Sequence, residues 1–217
     1  MTKKHTKQAL AALTAGLLSL TLLAACGGQN AAGGNGQDSA ADTNGQTQTG
    51  QTEQGDQSAQ STVTTVGEFT TQDLDGSTVT QDIFKEHKLT LVNAFGTWCS
   101  PCVQEIPDLE KLYETMQDKG VGVIGIVTDT IGMDGKLDQT VVDTAKQLAE
   151  QSGVTYPFLV PDAGWLNGRL ANMDTFPESF FVDENGNIVG ETYFGSRDLA
   201  EWTSVVETEL ANLEKNA

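Results

Sequence analysis

Two cysteines two residues apart carry the first chemical signal in this chain. Cys99 and Cys102 stand in the run Phe95-Gly96-Thr97-Trp98-Cys99-Ser100-Pro101-Cys102, after an apolar stretch over 89–94 and before a segment with helical periodicity. A thiol at the junction of a buried strand and a helix meets unpaired backbone N–H groups and the macrodipole, and both favour its thiolate. Pro101 suits a helix start, because its missing N–H is not needed there and its φ is already helical. Cys102 lies one turn further in and can close a disulfide with Cys99. Three chemistries use cysteines at this spacing. Zinc needs about four ligands, whereas beyond residue 26 the chain offers these two thiols and one histidine, His87. A structural staple across two residues removes little chain entropy, since that gain grows with loop length. A thiol–disulfide redox couple remains, with no metal and no cofactor in the expectation.

The elements that must position the pair surround it. Residues 69–80 carry Asp75-Gly76 between short β-prone pieces, a leading hairpin. Residues 89–95 form a nearly continuous apolar run, the pattern of a central strand covered on both faces. After the cysteines, Val103, Ile106, Leu109, Leu112, Tyr113 and Met116 recur at helical spacing, with Pro107 inside the stretch as an expected kink. Residues 121–127 read as a second buried strand. A helix over 138–152 follows, with Val141, Ala145 and Leu148 on one face, then a strand over 158–160 and a short helix over 165–172. The strands 179–182 and 188–194 flank the turn Asp183-Glu184-Asn185-Gly186, and a C-terminal helix carries Leu199, Trp202, Val205, Val206, Leu210 and Leu213. Alternating helices and buried strands predict a three-layer α/β/α sandwich around a central mixed sheet, with an N-terminal hairpin.

The N-terminus reads differently. Lys3, Lys4 and Lys7 precede an apolar run over 9–23 that is short for a membrane span, so residues 1–25 read as a secretory signal. Leu23-Ala24-Ala25-Cys26 resembles a bacterial lipobox, which implies cleavage before Cys26 and acylation of its thiol. Residues 26–65 are dominated by Gly, Gln, Asn, Thr, Ser and Ala, and lack Lys, Arg and aromatics. They are expected to form a disordered tether with a reach on the order of 35 Å. A folded domain over 66–217 follows. Without the three signal lysines, nine basic residues face 30 acidic ones, a formal charge of −21. That balance disfavours nucleic acid and anionic lipid as partners.

Trp98-Cys99-Ser100-Pro101-Cys102, Pro107 and the downstream Phe176-Pro177 together resemble the thioredoxin fold. With Glu105 three residues past the second cysteine, Leu91-Val92-Asn93-Ala94-Phe95 before the motif and a helix–strand insertion near 137–160, the chain resembles the membrane-anchored TlpA/ResA-like thioredoxins. The resemblance implies a cis Phe176–Pro177 bond beside Cys99, where a substrate peptide pairs as an added strand, and Trp98 as a lid. Cytosolic thioredoxins carry a buried aspartate where this chain has Asn93, so Glu105, on the same helical face as Cys102, becomes the proton-exchanging carboxyl. Its residues alone leave Glu105 equally open to a solvated role that stabilises the helix dipole. Trp165 and Trp202 read as core or loop anchors.

Taken together these features predict an extracytoplasmic thiol–disulfide oxidoreductase, lipid-anchored to the bacterial membrane. Ser100-Pro101 puts no cation between the cysteines, which points to a reductant rather than an oxidant. By resemblance its partners are exported protein disulfides, of the apocytochrome c or methionine sulfoxide reductase type, and a membrane thiol reductase of the CcdA type as electron donor. The competing readings are a disulfide-donating oxidase, a peroxiredoxin-like peroxidase and a binding lipoprotein with an inert disulfide. The peroxidase is disfavoured because Gly96-Thr97-Trp98, rather than a threonine and proline, precedes Cys99.

Overall fold

The computed structural model describes residues 63–216. The expected signal segment 1–25, Cys26 and nearly all of the expected tether 26–65 lie outside the described residues. Pairing begins with the first of those described: Ile188 N donates to Thr64 O at 2.9 Å and Val66 N to Gly186 O at 3.0 Å.

Seven strands form one mixed sheet. β1 (Thr70–Asp73) and β2 (Thr78–Thr80) make the leading antiparallel hairpin. Its turn is held by the Asp73 carboxylate, which accepts from Asp75 N and Ser77 N at 2.9 Å each. β3 (Leu89–Phe95), β4 (Val121–Val127) and β5 (Phe158–Val160) run parallel, while β6 (Glu178–Asp183) and β7 (Ile188–Phe194) add antiparallel beyond β3. The order is β2-β1-β5-β4-β3-β6-β7.

Every residue of β3 and β4 is buried, because alternate side chains feed two separate cores. Leu89, Leu91 and Phe95 face a layer of three helices: α1 (Ser100–Met116), α2 (Gln139–Ser152) and α4 (Leu199–Asn216). Val92 and Ala94 face the other side, where Phe84 from a 3-10 turn at Gln81–Glu86 and Trp165 from the five-residue α3 (Ala163–Asn167) close the core. The expected three-layer fold is present, but its second outer layer is thin. The helix read over 165–172 is shorter and earlier: Asp162 caps it by accepting from Trp165 N at 2.9 Å, and Gly168 leaves helical geometry at φ −103°, ψ −114°. On α2 the buried stripe runs through Val142 and Ala145, with Ala149 packed against the core, so it is rotated by one residue from the expected Val141 and Leu148 face. No helix among the described residues is long and apolar enough to cross a membrane.

α1 matters most for the site. Its buried stripe is Cys102, Glu105, Ile106, Leu109, Glu110, Leu112 and Met116, so two acids lie among the apolar residues. Glu110 is accounted for structurally, accepting from Thr155 N at 2.8 Å and Thr155 Oγ1 at 2.6 Å and so tying α1 to the segment before β5. Pro107 is exposed and sits inside the helix without ending it. His87 is half-buried, edge-on to Tyr113.

Candidate active site

The loop from β3 into α1 is pinned to the end of β4. Thr97 N donates to the Asp129 carboxylate at 3.1 Å and Thr97 Oγ1 donates to it at 2.7 Å, while Thr128 Oγ1 donates to Phe95 O at 3.0 Å. Trp98 then folds back over Gly96, where an added Cβ would lie 2.6 Å from the indole nitrogen. The Trp98 ring stays 66% exposed and meets Phe176 edge-on at 5.1 Å.

Cys99 is the N-cap of α1. Its Sγ accepts from Cys102 N at 3.3 Å, its carbonyl accepts from Val103 N, and Pro101 lies in the first turn. Cys99 and Cys102 are joined by a disulfide, with Sγ–Sγ 2.00 Å and Cα–Cα 5.3 Å. Exposure does not separate the two thiols, at 4% and 1%. Position does, because only Cys99 occupies the helix end, where unpaired N–H groups and the dipole stabilise a thiolate.

The Phe176–Pro177 bond is cis. Pro177 O accepts from Gly195 N at 2.9 Å, fastening the loop to the end of β7. The backbone N–H and C=O of Phe176 take part in no hydrogen bond among the described residues, so that edge is open beside Trp98. On the far face of the sheet, Glu178 pairs with Arg169, whose guanidinium also donates to Thr192 Oγ1 at 3.0 Å and stacks over Phe180. This buried ion pair fixes the strand that the proline loop enters.

Glu105 is 2% exposed, one helical turn past Cys102 on the same stripe. The solvated-glutamate alternative therefore does not describe it. Oε1 accepts from Trp202 Nε1 at 2.6 Å and from Arg197 N at 2.8 Å, and Oε2 accepts from Asn93 Nδ2 at 3.2 Å. Asn93 Nδ2 also donates to Ser179 Oγ at 2.9 Å. Burial pushes the Glu105 carboxyl above its ordinary 4.5, and the donors from Arg197, Trp202 and Asn93 pull against that rise without cancelling it. The result is a buried carboxyl whose proton affinity is raised. Among the described residues no three His, Cys, Asp or Glu side chains converge to hold a metal ion.

Sequence reasoning missed part of this network. Trp202 is a fully buried core residue as expected, yet its indole nitrogen also serves Glu105. Arg197 and Asp129 drew no attention. One local signal was available: Asp198 and Glu201 form a reciprocal capping box, Asp198 N donating to Glu201 and Glu201 N to Asp198, which fixes where α4 starts and hence where Arg197 N points.

A disulfide at the head of a helix, opposite a cis-proline loop on a mixed sheet, is the arrangement of a thioredoxin-fold protein. Comparison with known proteins agrees. The chain belongs to the Redoxin family, whose profile matches residues 57–203. It is 27% identical over 123 residues to the thiol-disulfide oxidoreductase ResA of Bacillus thuringiensis subsp. konkukian, covering 57% of this chain and 64% of that protein. ResA of Geobacillus thermodenitrificans is 28% identical over 131 residues, with the same coverage, so the chain spans slightly less than two thirds of these relatives. Among solved structures, a thiol:disulfide interchange protein of the thioredoxin family from Chlorobium tepidum superposes with a TM-score of 0.56 at 26% identity, covering 70% of this chain and 99% of that one.

Proposed function

We propose that this protein is an extracytoplasmic thiol–disulfide oxidoreductase that reduces disulfides in exported proteins. The observation that carries the reading is the pairing of a helix-capping Cys99 with a buried, hydrogen-bonded Glu105 one turn beyond Cys102. The Cys99 thiolate attacks a client disulfide, forming a mixed disulfide and releasing one client thiol. Cys102 gives its proton to Glu105, and its thiolate attacks Cys99 sulfur. The Cys99–Cys102 bond forms, the second client thiol leaves, and two electrons have passed from the cysteine pair to the client. Trp98 and Phe176 offer the client an aromatic surface, and the open Phe176 backbone offers it a strand to pair with.

The lipobox-like Cys26 supports anchorage by lipid after removal of residues 1–25, with 26–65 as the tether and 66–217 as the catalytic domain. The likeness to ResA thiol-disulfide oxidoreductases supports protein thiols and disulfides as substrates. A site of action outside the cytoplasmic membrane, apocytochrome c or methionine sulfoxide reductase type clients and a membrane thiol reductase of the CcdA type as electron source belong to the proposal through the motif resemblance to TlpA/ResA-like thioredoxins. The direction of exchange is inferred from Ser100-Pro101. With no cation between the cysteines and one N–H donated to Cys99 Sγ, the thiolate is only moderately stabilised, so the potential falls nearer roughly −270 mV than roughly −120 mV. The test is insulin reduction driven by dithiothreitol, together with equilibration in graded thiol/disulfide buffers. Catalysis lost in Cys99→Ser and a low midpoint support the proposal. A midpoint above about −180 mV makes the protein a disulfide donor, and an inert disulfide makes it a binding protein.

A further inference from the structure

The donors around Glu105 are arranged unevenly. Oε1 receives two short hydrogen bonds, from Trp202 Nε1 at 2.6 Å and Arg197 N at 2.8 Å. Oε2 receives one longer bond, 3.2 Å, from an Asn93 amide that is shared with Ser179. A carboxylate oxygen has two lone-pair directions, so Oε1 is filled and Oε2 keeps one free. A proton arriving at Glu105 is therefore directed to Oε2. The filled side is itself braced. The Arg197 guanidinium stacks over Trp202 at 5.2 Å and Tyr193 at 5.1 Å, and its Nη1 donates to Gly195 O at 2.9 Å.

We infer that Trp202 and the turn at Arg197 form a donor cage that orients the Glu105 carboxyl, leaves Oε2 as its working oxygen, and sets the pH range in which Cys102 resolves a mixed disulfide. The inference rests on the oxidoreductase reading above and makes Trp202 and Arg197 positioning residues. Every element packed around Glu105 is consistent with it. Cys102 lies on its own helix. β3 presents the neutral Asn93, β6 the neutral Ser179, and the turn before α4 a cation, Arg197. α4 presents the indole N–H. Tyr193 on β7 is held by Glu209, and Tyr156 before β5 has its hydroxyl pushed well above the ordinary range, by burial first and then by Glu110 and Glu105, so it stays neutral. Donors to the ionised form favour it. Removing one must therefore raise the proton affinity of Glu105 and move the resolving step to higher pH.

Resolution can be timed with Ellman's disulfide and the reduced full-length chain carrying Cys26→Ser, which removes the third thiol. The first thionitrobenzoate released reports the Cys99 mixed disulfide and the second reports resolution. Stopped-flow traces across pH give the midpoint of the second phase. Trp202→Phe, which deletes the N–H and keeps an aromatic ring, is expected to move that midpoint up by about one pH unit. Resolution then slows about tenfold below the wild-type midpoint and matches wild type well above it. Arg197→Met keeps its backbone N–H at a half-buried position, so it reports even if Trp202→Phe folds poorly. Its expected shift is in the same direction and about half as large. A role in packing alone would slow resolution at every pH without moving the midpoint. If Glu105→Gln leaves the wild-type profile unchanged, the proton-exchange reading and the cage both fall. If Glu105→Gln abolishes the profile while Trp202→Phe and Arg197→Met leave its midpoint in place, the cage alone is overturned.

Discussion

Two buried glutamates meet adjacent rungs of the same strand pair from opposite faces of the sheet. Glu105 meets the rung Asn93/Ser179 from the helical side, and Glu178 stands in the next rung, opposite Ala94, on the thin side. The thin side answers its acid with a full charge, the Arg169 guanidinium, which is itself braced by Thr192 and Phe180. The helical side answers with N–H donors from Trp202, Arg197 and Asn93, and burial still holds the Glu105 carboxyl above 4.5. The Glu178 carboxylate, matched by a cation, works as a rivet between its strand and the thin layer. Glu105 is matched by N–H donors that leave its proton affinity raised, the property on which the proposed proton exchange with Cys102 draws. The thin side also holds the two buried side-chain polar atoms without a partner among the described residues, Thr90 Oγ1 and Trp165 Nε1. Neither lies beside Glu105, whose two carboxyl oxygens both accept hydrogen bonds.

The largest expected effect is on the rivet. Arg169→Met leaves Glu178 buried and uncompensated and is expected to cost about 3–5 kcal/mol in denaturant unfolding. A loss below about 1 kcal/mol would erase the contrast between the two acids. Asn93→Asp tests the contrast from the other side by setting a second carboxyl against Glu105. Like charges raise the proton affinity of such a pair, so stability is retained in acid and lost as pH climbs through the raised value. The expected cost at pH 7 is about 2 kcal/mol, recovered on acidification.

Glu105→Gln sharpens the comparison by removing the titration while keeping the volume. A folded-state value raised above 4.5 means that Glu105 contributes its full stability below the unfolded value and loses it as pH rises through the folded one. The stability of the variant relative to wild type should therefore improve from pH 4 to pH 8, by on the order of 1 kcal/mol. Equal slopes against pH would mean that Glu105 has the same proton affinity in the folded and unfolded chain. The smallest effect belongs to Thr90→Val, which deletes an unpaired buried hydroxyl and should stabilise by a few tenths to about 1 kcal/mol.

Much of this contrast was within reach of the sequence, and the part that was not has a physical reason. β3 and β4 announce themselves because both faces are buried and nearly every position is apolar or small, Asn93 being the exception that serves the site. The Cys99 cap, Pro101 and the position of Glu105 follow from helical spacing alone, since residues 99–105 are local to one another. The supporting donors are not local. Trp202 and Arg197 reach Glu105 across more than 90 positions of chain, and a buried tryptophan at helical spacing has the same signature whether or not its N–H serves a carboxyl. Arg169 and Glu178 are close in sequence, but the thin layer that joins them has little periodic pattern, which is also why α3 was placed too late and drawn too long. On α2 the stripe was misplaced by one residue because Val141 and Val142 are equally apolar, and only packing chooses between them.

The central claim is that the helical side of the sheet carries a carboxyl that titrates in the folded protein and serves Cys102. Carbon-13 NMR of the reduced protein, labelled at glutamate carboxyls and followed across pH, reads this directly. The account predicts one glutamate resonance with a midpoint above 4.5, absent in Glu105→Gln and shifted further upward in Trp202→Phe. A resonance lost in Glu105→Gln that titrates at or below 4.5 in the wild-type protein would contradict it.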